Sequence, residues 1–235
     1  VWEVLASGGR GRRGNRNFET ALEHQKEALK YDKQFSEAYY DLGIIYYSIS
    51  DYSKAIKNTL KAIEGGYRKS KVYYILGLAY EKKKNWVHAS NAFKNTIAIE
   101  DGFINAYLPF VNCLVKEKKY KQGIDLLNTY ADIFPLSIDA DFFYLSGICH
   151  LGMEETNQAE DFFKQCISED MECSLAYYGL SICSVLKGDL SNALILMEKA
   201  FKKGNIHWEN IKNDGFIASI KSEKKFKELV NKYLK

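Results

Sequence analysis

Apolar residues along this chain fall into stripes at helical spacing, broken at regular intervals by short polar turns. Tyr39, Leu42, Gly43 and Tyr46 occupy positions i, i+3, i+4 and i+7, so they share one face of a helix. Ser50 and Asp51 interrupt the stripe, and Asp51 or Ser53 is placed to cap a second helix. That helix carries Ala55, Ile56, Leu60, Ala62 and Ile63. Gly43 and Ala55 are small, which lets the two helices approach closely, and Gly65-Gly66 ends the unit.

The pattern recurs. A shift of 34 residues gives Tyr73, Leu76, Gly77 and Tyr80, then Ala89, Phe93 and Thr96. Another 34 gives Tyr107, Phe110, Val111 and Leu114, then Gly123, Leu127 and Tyr130, closed by Pro135. A step of 36 gives Phe143, Ser146, Gly147 and His150, then Ala159, Phe163 and Cys166. A last step of 34 gives Tyr177, Leu180, Ser181 and Ser184, then Ala193, Met197 and Ala200. Self-similarity at a fixed period marks a repeat architecture, in which each unit buries its apolar face against its neighbours.

With these residues in phase, the chain resembles the tetratricopeptide (TPR) repeat family over roughly residues 18–204. The family carries an aromatic, Leu-Gly and Tyr on the first helix, then Ala, a Phe-like residue and Ala on the second, with Pro near the end. The repeat at 36–69 matches the aromatic, Leu-Gly, Tyr and both Ala positions, and the repeat at 70–103 adds Phe93. The repeat at 104–139 departs most: it lacks the Gly and carries Pro109 early in its first helix. Repeats at 140–173 and 174–204 complete five. The resemblance implies an all-α superhelix, a right-handed solenoid of helix-turn-helix units whose concave face holds a peptide or partner protein. Phe18 to Tyr31 reads as the second helix of a partial leading repeat at 18–35, because Ala21 and Ala28 sit where Ala55 and Ala62 sit later.

A second stripe lies about 100° round each first helix. It comprises Tyr40, Ile44 and Tyr47; Tyr74, Leu78 and Glu81; Leu108 and Asn112; Tyr144 and Ile148; Tyr178 and Ile182. Val115, Leu151 and Val185 continue it. The outer face of an ordinary surface helix is polar, whereas this one is apolar and rich in Tyr. By resemblance to the family it lines the concave groove. TPR domains that clamp an acidic C-terminus carry Lys, Asn and Arg there, and here Asn112 alone could act so, which argues against a carboxylate clamp. A Tyr- and Ile-rich groove suits an apolar or amphipathic helical segment, with Tyr hydroxyls at the rim. The structural alternative is that these residues pack between adjacent first helices or lie under the protein's own chain.

The two ends differ from the array. Residues 1–17 hold four of the five Arg and four Gly between Gly8 and Gly14, and read as an irregular or appended leader, an arginine-glycine arm for RNA being the minor reading. Beyond Gly204 the period is lost, and Phe226, Leu229, Val230, Tyr233 and Leu234 make one apolar stripe, as a capping helix over residues 205–235 would require. Trp208, Phe216 and Ile220 are expected beneath it.

Composition narrows the function class. The net charge of +3 comes wholly from the first sixteen residues, so the array is neutral and carries no basic footprint for nucleic acid. Its two Pro suit helices. The absence of a long apolar run argues against membrane insertion. Five cysteines, odd in number and without a CxxC pair, read as thiols and favour a reducing, cytoplasmic setting. His24, His88, His150 and His207 lie far apart, with no zinc spacing. No nucleophile elbow, phosphate loop or dinucleotide fingerprint is present. We therefore expect no catalysis and no cofactor or metal. The expected partner is a protein or peptide; a homo-oligomer or an accessory domain of a larger protein is the alternative.

Overall fold

The computed structural model describes residues 12–204, 206, 211, 212 and 214–234, with backbone alone for 12–17. Residues 1–11 and Trp208 lie outside them, so the readings placed there are not addressed. The described residues form twelve α-helices and no strand. They divide into two compact units between Glu117 and Lys118, inside the third repeat.

The first unit contains α1 (Arg12–Tyr31), α2 (Ser36–Ser48), α3 (Tyr52–Glu64), α4 (Ser70–Lys82), α5 (Trp86–Ile99) and α6 (Tyr107–Lys116). Helix α1 begins six residues before Phe18, so the irregular stretch expected through residue 17 is helical from Arg12 onward. Gly14 alone of the leader's glycines falls in it, and one glycine costs about 1 kcal/mol, which a twenty-residue helix absorbs. Consecutive helices pack together, and α2 also meets α4, its counterpart one repeat on. Asp51 and Asn85 cap α3 and α5 by accepting the N–H of Lys54 at 3.1 Å and of His88 at 3.4 Å. Pro109 has no N–H to give, and the first helix of this repeat starts late: a 3-10 turn at Ile104–Ala106 precedes α6.

The second unit contains α7 (Tyr120–Ile133), a 3-10 turn at Pro135–Ser137, α8 (Ala140–Gly152), α9 (Thr156–Glu169), α10 (Ser174–Leu186), α11 (Leu190–Lys203) and α12 (Lys224–Tyr233). Asp139 and Asp189 cap α8 and α11. Helix α12 buries Phe226 and Leu229 in the same cluster as Met197, Ala200 and Phe201 of α11, while Ile217 and Ile220 fill the space beneath. Phe216, expected in that role, is instead 41% exposed. The Asp214 carboxylate accepts the Phe216 N–H at 2.9 Å, and the turn that follows aims Ile217 and Ile220, one 3-10 turn apart, inward.

Close approach within the pairs α4–α5 and α8–α9 is set by a glycine opposite a phenylalanine. A Cβ on Gly77 would lie 2.7 Å from Cε1 of Phe93. Phe163 is held from two sides: a Cβ on Gly147 would lie 2.6 Å from its Cε1, and one on Gly179 2.5 Å from its Cζ. Phe163 is fully buried and so has nowhere to swing.

The turn joining each helix pair takes a left-handed residue at the repeat period: Ser50, Lys84, Lys118, Glu154 and Gly188, with φ of 64°, 56°, 58°, 65° and 80°. Only the last is glycine. The other four carry the left-handed penalty of roughly 1–2 kcal/mol each.

Three outcomes follow for stability. Gly147→Ala gains about 1 kcal/mol of helix propensity but overpacks Phe163, for a net loss of about 1–2 kcal/mol in urea unfolding. Gly102→Ala, with nothing within 4 Å of the added Cβ, stays within about 0.5 kcal/mol of the parent. Conversely, Glu154→Gly relieves a left-handed residue and raises stability by about 0.5 kcal/mol, part of the relief being lost to the freer unfolded chain.

Candidate functional site

The second stripe does not behave as one surface. In the first unit Tyr40 and Ile44 are 7% and 2% exposed and pack with Val72 and Ile75, between α2 and α4. The Tyr40 ring lies 5.5 Å from that of Tyr67. These two are core residues, because α4 follows close enough alongside α2 to cover them. In the second unit Tyr178 and Ile182 are 9% and 4% exposed, within the cluster that the C-terminal segment completes. The Tyr178 hydroxyl donates to the Asp214 carboxylate at 2.8 Å. For these four, packing by the protein's own chain is the outcome.

Leu151 is buried as well, at 3% exposure, and the remaining stripe residues are half-buried. Tyr47 ends α2 with its ring 5.6 Å from Tyr52. Tyr74 on α4 packs against Phe103 at 4.9 Å and Phe93 at 6.0 Å. Leu78 follows one turn later and packs against the clusters on both sides of α4. On α6, Leu108 precedes Asn112 by one turn. Asn112 Nδ2 donates to Glu81 Oε1 at 3.1 Å, joining α6 to α4.

Glu81 is the electrostatic centre of this patch. Burial pushes the Tyr47 hydroxyl up to about 12, with smaller contributions from Tyr52, Glu81 and Tyr74. Tyr74 is raised chiefly by burial and then by the Glu81 charge. The Cys113 thiol rises to about 12 by burial and by the charges of Glu81 and Glu117. Two tyrosines, an amide and a thiol thus share one carboxylate, and all three ionisable groups stay neutral at ordinary pH. In the second unit Tyr144 and Ile148 are half-buried beside Phe163, whose ring lies 6.2 Å from that of Tyr144, and burial pushes Tyr144 to about 12.

The Glu81–Asn112 bridge was not read from sequence, although the signal was there. The two are separated by one repeat less one helical turn, which is the offset of side-by-side first helices. Asp214 had no such signal, since it lies beyond the periodic region.

Nothing in the described residues suggests metal chemistry: no group of three or more His, Cys, Asp or Glu could hold an ion. His150 stacks on Phe162 at 5.1 Å and its Nδ1 meets Glu155 at 2.5 Å, so it packs as the core stripe required. No described helix is long and apolar enough to cross a membrane.

Residues 36–64 match the family model of the tetratricopeptide repeat. Among solved structures, residues 41 to the end of MamA from Desulfovibrio magneticus RS-1 are 17% identical, with 77% of this chain and 97% of that one covered and a TM-score of 0.64. YrrB, described as a TPR protein with an unusual peptide-binding site, is 18% identical, with 77% and 93% covered and a TM-score of 0.63. MamA of MSR-1 is 20% identical, with 72% and 95% covered and a TM-score of 0.60. No curated protein sequence matches the chain significantly. The helix pairs are of the tetratricopeptide type, and the fold is the all-α array of such pairs.

The tyrosines make a testable pH dependence. An unfolded chain ionises Tyr near pH 10, whereas Tyr47 and Tyr144 are raised to about 12 and Tyr178 is raised by burial and by Asp214. Above about pH 10 the folded state therefore binds more protons than the unfolded one, and stability falls as pH rises. Urea midpoints against pH check this. Tyr178→Phe is expected to lose about 1 kcal/mol at neutral pH with the Asp214 hydrogen bond, and to show a shallower alkaline decline than the parent.

Proposed function

We propose that this chain is a non-catalytic scaffold that binds a segment of another protein on the half-buried face of α2, α4 and α6. The observation that carries the reading is the composition of that face: Tyr47, Tyr74, Leu78 and Leu108 around a single carboxylate, Glu81, tied to Asn112. Aromatic and aliphatic side chains give an apolar bed for an amphipathic helix or extended peptide, and tyrosine adds hydroxyls without much conformational cost. Likeness in fold to YrrB, a TPR protein with a peptide-binding site, supports the same class of role.

The charge at the centre decides which peptide. Glu81 disfavours an acidic C-terminus, and the one amide that could have met such a group already donates to Glu81. The ligand we infer presents two apolar side chains on one face and a Lys or Arg between them, placed to pair with Glu81. Tyr144 and Ile148 form a separate half-buried patch on the second unit, a further place for partner contact. Self-association is the competing reading, and a monomer by light scattering at high concentration removes it.

Selection from a displayed random-peptide library tests the proposal. Enriched peptides are expected to combine apolar residues at helical or alternating spacing with at least one basic residue. Glu81→Gln, which keeps shape and hydrogen bonding, is expected to weaken the enriched peptides by about 10-fold, near 1.4 kcal/mol. Enriched peptides that bind Glu81→Gln and Tyr47→Ala as tightly as the parent would move the site off this face.

A further inference from the structure

Two neighbouring turns of the first unit line an open cavity of about 650 Å³, to which the proposed binding face contributes no residue. One is the turn from α4 into α5, with Lys83 and Lys84; the other is the end of α6, at Lys116. All three lysines are exposed, and Glu117 is the one acid among the described residues that line the cavity. Lys83 Nζ donates to Ser53 Oγ at 3.0 Å. Among the described residues Lys84 and Lys116 enter no ion pair, whereas Lys54 pairs with Asp51 and Lys164 with Glu160.

The same cavity is lined by two apolar side chains. Trp86 is half-buried and packs on the cluster of Ala89, Phe93, Ala106 and Cys113, which fixes its ring. Val87 is 53% exposed. The repeat pattern requires neither the valine nor the lysine on α6. At the position of Val87 the other repeats carry Ser53, Lys121, Asn157 and Ser191. At that of Lys116, three of them carry Ser48, Gly152 and Leu186. An exposed valine where the other repeats are polar, beside two lysines outside any ion pair, is not explained by the fold.

We propose that this cavity is a docking site for an acidic segment of a partner protein. Its carboxylates pair with Lys83, Lys84 and Lys116 while an apolar side chain between them rests on Trp86 and Val87. Charge complementarity selects the occupant, since three lysines against one glutamate leave a surplus of positive charge. Lysine ammoniums are separate point charges with rotatable donors, which suits several carboxylates spaced along a chain. The indole adds a broad apolar surface at low conformational cost. A small molecule is the poorer fit, because an open cavity lined by exposed side chains does not enclose a ligand over most of its surface. Nucleic acid is poorer still: its affinity comes from many cations along a phosphate track, and this cavity supplies three beside a carboxylate. The charge here is opposite to that of Glu81, so the two sites select different segments. Exposed ion pairs are individually weak and screened by salt, so the contact is weak and salt-sensitive.

The probe is an end-blocked, fluorescein-labelled peptide of glutamates flanking a central leucine, titrated with the protein and followed by fluorescence anisotropy. Binding is expected in about 0.05 M salt and its loss in about 0.5 M. Lys84→Gln with Lys116→Gln is expected to weaken it about ten-fold, at about three-fold for each exposed ion pair. Val87→Ser, which installs the side chain that Ser53 and Ser191 supply at equivalent positions, is expected to weaken it about three-fold. These side chains are exposed, so circular dichroism of both variants should match the parent. Glu81→Gln should leave the titration unchanged, and the same peptide with glutamine for glutamate should stay free. The Trp86 indole N–H resonance, assigned with Trp86→Phe, should shift as the glutamate peptide binds. A parent without binding below a Kd of about 1 mM, a double lysine variant that binds as tightly as the parent, or a short single-stranded oligonucleotide bound in preference to the peptide would overturn the proposal.

Discussion

The close approach of paired helices at a small residue, seen at Gly43, Gly77 and Gly147, is the constraint on which the rest depends. Phe163 shows it most directly: fully buried, it lies against Gly147 of its own pair and Gly179 of the next, at distances no added carbon could share. A single side chain thus ties α9 to both α8 and α10, so spacing within a repeat and spacing between repeats are the same packing problem. In the first pair Gly43 faces Thr59, and a Cβ there would lie 2.5 Å from Thr59 Oγ1. Thr59 is fully buried, yet its hydroxyl donates to Ala55 O at 2.7 Å, so the smaller filler leaves no unsatisfied donor.

Such packing also explains the strained turns. If the helices of a pair must touch along small residues, the connection between them has little room, and one residue per turn is driven to positive φ. That four of five are Ser, Lys, Lys and Glu shows tertiary packing overriding local preference, at a cost of roughly 1 kcal/mol each. The hydrophobic contacts that surround each turn are large enough to carry that cost, since a single buried Phe or Ile contributes about 1.5–3 kcal/mol.

Sequence periodicity exposed the helix pairs well, because each depends on local spacing and on residues that recur in phase. Ala55, Ala89, Ala159 and Ala193 are all fully buried where the period put them. It exposed the candidate face less well, for a physical reason. A residue's position on its own helix fixes the direction in which it points, but the next helix along decides whether anything covers it. Tyr40 and Tyr74 hold equivalent positions, yet Tyr40 is covered by α4 and its neighbours and Tyr74 stays half-buried. Tyr178 is closed over by an aperiodic segment whose Asp214 no repeat pattern could anticipate. The C-terminal turn misled in the same way: Phe216, expected beneath the cap, is exposed, while Ile217 beside it is fully buried.

The half-buried face gains its character from what its charge is tied to. Glu81 accepts from Asn112, an amide without formal charge, so its negative charge is held in position without being neutralised by that bond. A lysine or arginine in place of Asn112 would cancel the charge and turn the same face toward anions, as in a carboxylate clamp. A neutral donor keeps the carboxylate oriented and electrostatically effective beside two tyrosines that burial holds in their protonated form. Protonated tyrosines can donate as well as accept, so the face offers an incoming backbone or basic side chain both kinds of hydrogen bond around a fixed anion. On the proposed binding role, specificity on this face would come from rejection as much as attraction. An acidic segment would meet an uncancelled like charge in a partly desolvated setting, where repulsion is stronger than in water.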